Sequence, residues 1–336
     1  MFYAWLGIVL AGILGGSYVV PAKTIRRLRW DQTWLIYCAS GMVMLPVGLA
    51  IGVAPELGGV VLKEHPDTAL VVALCGAGWG LGASLFGLAI PHLGFAIAFA
   101  IVAGVVTLLG SLGPLLVGVA RVEQGQRLGL WIGLTLLIVA IAVSAFASIL
   151  RDRPTGAAHE SRPGLGSGAA LGIFVAVAAG ALSSLLNTGF AYGGVLIARA
   201  EEIGVPRSAA SMAVWVPALG SGFCVNFAVI AWRVSRQPRG WIEFREAPLA
   251  DWLKAASLGL IWFLSIVIYS LSTLALGNAG TVYGWAVNGG LAILVSAAWG
   301  LRSGDWKGAS SAARRLALVS AGTFITAFGI LAASGR

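Results

Sequence analysis

The chain has 336 residues, of which 58% are hydrophobic and only 10% are charged, and its net charge is +9. Soluble domains carry about 25% charged residues, so this composition excludes an ordinary soluble protein and is typical of a chain that folds inside a lipid bilayer. The positive charge lies in short loops between apolar runs. That pattern sets membrane topology and does not indicate nucleic-acid binding.

Ten apolar runs of about 20 residues follow one another along the chain. A run of this length crosses the roughly 30 Å hydrocarbon core as a helix, whereas a β-barrel needs alternating segments of about ten residues. The sequence therefore predicts an all-α integral membrane protein with ten transmembrane helices in one membrane domain. The predicted spans are 3–21, 33–53, 68–90, 94–118, 127–149, 166–190, 208–232, 252–276, 280–300 and 312–333.

The basic residues are distributed unevenly between the two sets of loops. Loops that follow the odd-numbered predicted spans hold 16 of the 22 Lys and Arg residues. Because Lys and Arg are enriched in cytoplasmic loops, we expect a multi-pass plasma (inner) membrane protein with both termini outside the cytoplasm. The first apolar run lacks a basic n-region and is followed by basic residues, so it is interpreted as a span and not as a signal peptide.

Five spans in each half would give the two halves opposite orientations, and the sequence contains a weak repeat with that spacing. A shift of 186 positions aligns Ser84–Gly110 with Ser270–Ser296 without a gap and gives eight identities in 27 positions. We therefore predict a five-plus-five inverted repeat, with residues 1–150 as the first five-helix repeat and 165–336 as the second. Predicted spans 4 and 9 are then counterparts, and span 9 lies where the repeats meet.

One predicted span, 280–300, carries a polar and aromatic stripe. Its members recur at steps of three or four and therefore share one helical face: Thr281, Trp285, Asn288, Ala292 and Ser296. Spans 6 and 7 also contain mid-span amides, and an amide has four hydrogen-bonding sites that a single helix contact seldom satisfies. We predict a shared solute cavity lined by Asn187, Asn226, Asn288, Trp79, Trp285 and Tyr269. The alternative is that these polar residues and the glycine-rich runs only pack helices together.

The residue types in the spans restrict the kind of solute. No Lys, Arg or carboxylate lies in the middle of a predicted span, which argues against anionic and cationic solutes. Amides match vicinal hydroxyls and aromatic faces cover C–H surfaces, so the residues favour a neutral polyhydroxylated molecule such as a sugar. The sequence contains no recognisable enzyme motif, and no catalytic, cofactor-binding or metal-binding residue is assigned. Export of small metabolites and a non-transport role as a receptor or scaffold remain alternatives.

The segment Gly76–Leu116 contains a spaced pattern that begins Gly-Ala-x-Trp-Gly-x-Gly. In this pattern the chain resembles the L-rhamnose–proton symporter family of the drug/metabolite transporter superfamily. The resemblance continues over nearly the whole chain, at positions that include Pro21, Lys23, Trp30, Asp31, Trp34, Gly180, Ser183, Gly220, Gly222, Asn226, Tyr269, Trp285, Gly300, Asp305, Trp306, Arg314 and Arg315. It implies ten spans, an inverted repeat and sugar uptake driven by a proton gradient.

The chain departs at four positions from the pattern that the resemblance implies. Asn288 stands where a histidine is expected and Thr281 where an acidic residue is expected, while Ala83 and Leu85 replace amides. The resemblance implies L-rhamnose or a similar deoxyhexose as solute and a proton as the coupling ion. Because Asn and Thr do not titrate, sodium-coupled and uncoupled transport stay open beside proton-coupled uptake.

Overall fold

The structure, a computed structural model, describes residues 1–151 and 168–335. Within these ranges ten helices are long and apolar enough to cross a membrane, which confirms the predicted all-α class and the ten spans. They are α1 Phe2–Thr24, α2 Trp30–Val53, α3 Pro66–Leu93, α4 Phe95–Leu116, α5 Gln124–Arg151, α6 Ala169–Glu202, α7 Arg207–Ser235, α8 Leu249–Leu276, α9 Gly280–Arg302 and α10 Ser311–Ser334. The connection predicted between the two halves lies, apart from Arg151, outside the described residues.

The largest difference from the predicted bounds is at the end of α6. The prediction ended this span at residue 190, where the apolar run gives way to polar residues, but the helix continues after Gly193 as Gly194–Glu202. Arg199 on this extension donates from Nε to the Glu64 carboxylate at 2.6 Å. This charge-assisted hydrogen bond holds the pKa of the Glu64 carboxyl below its usual range. The extension is thus anchored to the connection between α2 and α3.

The contacts between helices of the first half and helices of the second half follow a regular pattern. Apart from contacts between consecutive helices, the main contacts, by helix number, are α1 with α8 and α9, α6 with α3 and α4, α7 with α2 and α3, α2 with α8, α4 with α9, and α5 with α10. Replacing each helix in these contacts by the helix five places away in the chain gives the same set of contacts. Within this set α4 and α9, which are five places apart, contact each other directly.

Glycines allow α3 and α7 to approach closely. A Cβ on Gly76 would overlap the carbonyl oxygen of Ala218, and a Cβ on Gly80 would lie 2.7 Å from the carbonyl oxygen of Gly222. In return, a Cβ on Gly222 would lie 2.9 Å from the carbonyl oxygen of Gly76. The glycine-rich run of α3 is therefore a close-packing surface, because only residues without a side chain permit backbone-to-backbone contact.

Polar contacts join several basic loops at one end of the bundle. Lys23 at the end of α1 pairs with Asp305 after α9 at 3.1 Å, and Arg29 before α2 pairs with Glu243 after α7 at 2.7 Å. The loops in which the sequence concentrates Lys and Arg therefore meet at the same end.

Candidate solute-binding site

Asn187 of α6 lies where four membrane-spanning helices meet. Its Nδ2 donates to the carbonyl oxygen of Gly110 in α4 at 2.8 Å and to that of Thr281 in α9 at 3.0 Å. Its Oδ1 accepts a hydrogen bond from the Tyr269 hydroxyl of α8 at 2.5 Å. The side chain is completely buried. One amide thus connects α4, α6, α8 and α9, and we refer to Asn187, Gly110, Thr281 and Tyr269 as the Asn187 node.

Trp285 packs directly against this node. Its Nε1 donates to the carbonyl oxygen of Val106 in α4 at 3.1 Å, and its ring meets the Tyr269 ring edge to face at 5.8 Å. The indole lies over Gly110, where any Cβ would overlap its Nε1. The structure therefore brings together three of the six residues in the predicted set, Asn187, Tyr269 and Trp285.

Trp79 and Asn226 form a second group at the contact of α3 and α7. Both lie against Gly222: a Cβ there would be 2.9 Å from the Trp79 ring, and Asn226 Nδ2 donates to the Gly222 carbonyl oxygen at 2.9 Å. Asn226 is buried, and this bond stays within its own helix. The predicted set is thus divided between two groups of contacts.

Aromatic rings extend the second group towards α2. The Trp79 ring stacks on that of Trp262 in α8 with centroids 5.8 Å apart and planes 9° apart. Trp262 in turn meets the Tyr37 ring of α2 edge to face at 5.7 Å. We refer to Trp79, Trp262 and Tyr37 as the aromatic row. Since α8 carries both Trp262 and Tyr269, which are two helical turns apart, it links the row to the Asn187 node.

Asn288 follows Trp285 by one helical turn on α9. Its Oδ1 is buried and has no hydrogen-bond partner among the described residues, and the same is true of Ser111 Oγ on α4. Ser111 directly follows Gly110 of the node. Buried polar atoms are nearly always hydrogen-bonded, and leaving one unpaired costs about 1–3 kcal/mol. On α4 and α9, which both contribute to the node, these two buried atoms are therefore available to bond a solute. The predicted set included Asn288 but not Ser111.

Further along the stripe of α9, the polar face packs against α1. Ser296 Oγ donates to the carbonyl oxygen of Gly16 at 2.9 Å, and Gly16 also lies against the backbone of Ala292. Ser265 of α8 makes a similar contact, donating to the carbonyl oxygen of Ala11 at 2.8 Å. In this part of the stripe the hydroxyls join neighbouring helices, as the packing alternative predicts.

The fold and these contacts define a class of protein: a multi-pass membrane protein whose uncharged polar and aromatic side chains meet inside a ten-helix bundle. The sequence profile of the L-rhamnose-proton symport protein family matches residues 3–334, and the chain belongs to this family of transporters. The resemblance noted from the sequence is thereby confirmed.

Curated relatives match over most of their length. The L-rhamnose-proton symporter of Mannheimia succiniciproducens is 23% identical over 307 residues, covering 86% of this chain and 85% of the relative. That of Pectobacterium atrosepticum is 21% identical over 339 residues, covering 98% and 96%. A Yersinia pestis protein of the same name is 23% identical over 314 residues, covering 90% of each chain.

Proposed function

We propose that this protein is a secondary active transporter that takes up a neutral sugar, L-rhamnose or a similar deoxyhexose, with a proton as the coupling ion. The observation that carries the proposal is the Asn187 node with Trp285 beside it, an uncharged polar and aromatic centre where four helices cross. Family membership supports the sugar and the proton. The distribution of Lys and Arg supports placing both termini outside the cytoplasm.

The solute would contact Asn187, Asn226, Asn288, Trp79, Trp285 and Tyr269. Asn288 Oδ1 and Ser111 Oγ are suited to the hydroxyl groups of a sugar, because both are buried and have no protein partner among the described residues. Trp79 is suited to the C–H surface and the methyl group of a deoxyhexose. Asn187 and Tyr269 bond each other in this state, and sugar hydroxyls can take the place of each partner, so that neither side chain loses a hydrogen bond.

Transport would proceed by rocking of the two five-helix repeats, residues 1–150 and 165–336, against each other. The regular relation between the helix contacts of the two halves supports this division. Two hydrogen bonds at the site cross between the halves, from Asn187 to Gly110 and from Trp285 to Val106. The bonds from Asn187 to Thr281 and Tyr269 stay within the second half. Rocking would therefore break the first two bonds and keep the others.

Asn288→Ala is expected to weaken L-rhamnose binding about tenfold or more, because it removes a buried acceptor that the sugar would use. The unliganded protein should keep its melting temperature, since Asn288 Oδ1 has no protein partner to lose among the described residues. Thermal unfolding of the purified protein, titrated with L-rhamnose, measures both quantities. Asn278→Ala is the matched control, because Asn278 is exposed in the turn between α8 and α9. An undiminished rhamnose-dependent shift in Asn288→Ala would mean that this amide does not contact the sugar.

Uncoupled uptake is the second candidate, and the placement of charge favours it. All Lys, Arg, Asp and Glu residues of the ten helices lie in the first or last two turns. We expect an inward proton gradient to drive accumulation of labelled L-rhamnose in proteoliposomes, and a protonophore to abolish it. If a sodium gradient drives accumulation instead, sodium and not the proton is the coupling ion. Equilibration that neither gradient alters would establish uncoupled transport.

A further inference from the structure

The connection between α1 and α2 is fixed against the beginning of α8. Asp251 of α8 is buried, and its Oδ2 accepts hydrogen bonds from the backbone N–H groups of Arg26 at 3.1 Å and Arg27 at 2.8 Å. Lys254, one turn further along α8, donates from Nζ to the carbonyl oxygen of Thr24 at 3.0 Å. These bonds hold the backbone of residues 24–27, so the basic side chains of this segment project from a fixed frame.

A surface cavity of about 560 Å³ opens beside this connection. Its lining includes four cations and one carboxylate, which we refer to as the basic cup: Lys23, Arg26, Arg27, Asp251 and Lys254. The Asp251 carboxylate is already engaged by two backbone N–H groups and by Lys254 at 3.6 Å. Lys23 pairs with Asp305. Arg26 and Arg27 are exposed, and neither guanidinium has an ion-pair partner in the described part of the chain. Two guanidinium groups without an ion-pair partner among the described residues therefore border one cavity.

An apolar stripe runs along α8 from Leu249, which lies between the cavity-lining residues Pro248 and Ala250 but on a different face of the helix from Asp251 and Lys254. Leu249, Leu253, Leu260 and Leu264 are 72%, 62%, 44% and 42% exposed and follow one another at steps of four and seven, so they share a helical face. In a membrane-spanning helix this exposed leucine face contacts acyl chains. The basic cup and the stripe together match a molecule that has an anionic head and an apolar chain, whereas a free anion would use the cup alone.

We propose that the basic cup binds the headgroup of an anionic phospholipid whose acyl chain lies along the leucine stripe of α8. A phosphodiester can accept hydrogen bonds from both guanidinium groups, those of Arg26 and Arg27. Arginine matches phosphate geometry better than lysine does. Basic pockets at the ends of transmembrane helices bind anionic headgroups in this way. The bound lipid stabilises the contact between the α1–α2 connection and α8.

Thermal unfolding of the purified full-length protein in detergent tests the proposal. Phosphatidylglycerol should raise the melting temperature in a saturable manner. Phosphatidylcholine and inorganic phosphate at equal concentration should not, because the first lacks net negative charge and the second lacks acyl chains. A shift of equal size with inorganic phosphate would overturn the lipid assignment and leave a site for free anions. The absence of any shift with phosphatidylglycerol would overturn the proposal altogether.

Two double variants test whether phosphatidylglycerol binds at the basic cup. The double variant Arg26→Gln, Arg27→Gln should bind phosphatidylglycerol at least about tenfold more weakly, since each cation near an anionic surface contributes about fivefold. Its melting temperature without lipid should be unchanged, because both side chains are exposed. The matched control is Arg302→Gln, Arg315→Gln, which removes the same charge from exposed positions outside the cup. Unaltered binding in the first variant, or an equal loss in the control, would overturn the proposed site.

Discussion

Asn187→Leu is expected to abolish sugar transport and to destabilise the bundle. Leucine has a similarly branched side chain but cannot hydrogen-bond, so the Tyr269 hydroxyl and the carbonyl oxygens of Gly110 and Thr281 lose their partner. Hydrogen bonds between membrane helices contribute about 0.6 kcal/mol each on average, so the loss of three corresponds to about 2 kcal/mol. We expect a larger relative loss of transport than of stability, because the node lies where the solute would bind and where the two halves are in contact.

The matched control for this variant is Ser184→Ala on the same helix. Ser184 is also buried, but its hydroxyl donates to the carbonyl oxygen of Ala181 within α6, so its removal breaks no contact between helices. Uptake of labelled L-rhamnose and the melting temperature should be measured for both variants. Transport by Asn187→Leu at the level of Ser184→Ala would mean that the node is packing only and has no part in the solute path.

Gly76→Ala is expected to prevent close packing of α3 against α7. The new Cβ would overlap the Ala218 carbonyl oxygen and come within 2.6 Å of the Ser221 hydroxyl. Because backbone atoms cannot move aside as a side chain can, the two helices must separate. Overpacking of this kind costs about 1–3 kcal/mol. Separation would also displace Trp79 from Gly222 and disturb the aromatic row, so transport should fall with stability.

Gly87→Ala is the control on the same helix. A Cβ at Gly87 meets nothing within 4 Å, and alanine is favoured over glycine in a helix by about 1 kcal/mol. The folded fraction by size-exclusion chromatography and the melting temperature should fall for Gly76→Ala and stay the same or rise for Gly87→Ala. Equal stability of the two variants would contradict the close approach of α3 and α7.

The ten helices could be predicted from the sequence because hydrophobic length alone identifies a membrane span. The extension of α6 beyond residue 190 could not, since it depends on Arg199 meeting Glu64 from a loop distant in sequence. The glycine pattern around Gly76 was visible from the sequence, and its reason is the backbone contact with Ala218. Patterns within one helix could thus be recognised in the sequence, whereas contacts between helices distant in the sequence could not be predicted from it.

The candidate site was predictable only in part for the same reason. Trp285 and Tyr269 were identified from their helical faces, but no pattern indicated that Asn187 would join them both. Trp262 lies on the same face of α8 as Tyr269, yet its stacking on Trp79 depends on how α3 and α8 are placed. Ser296 looked equivalent to Asn288 on the stripe of α9 but packs against α1. Hydroxyl groups serve packing and solute contact alike, so residue type cannot separate the two roles.

The backbone geometry of two glycines offers a second alignment for the predicted internal repeat. Gly94 and Gly277 end α3 and α8 with positive φ values of 74° and 78°, a conformation that favours glycine. These two capping glycines are 183 positions apart, whereas the ungapped sequence match uses a shift of 186. A difference of three residues is almost one helical turn. Aligning the two capping glycines would therefore pair different positions of α3 and α8 than the predicted ungapped repeat does.

Counterflow of L-rhamnose in proteoliposomes shows directly whether this protein transports a sugar, because it requires a sugar path but no particular coupling ion. Vesicles that contain the wild-type protein and are preloaded with unlabelled L-rhamnose should transiently accumulate external labelled L-rhamnose. Vesicles with Asn187→Leu should not, while those with Ser184→Ala should behave as wild type. Labelled sugar that never rises above the level in protein-free vesicles would contradict the assignment of this protein as a sugar transporter.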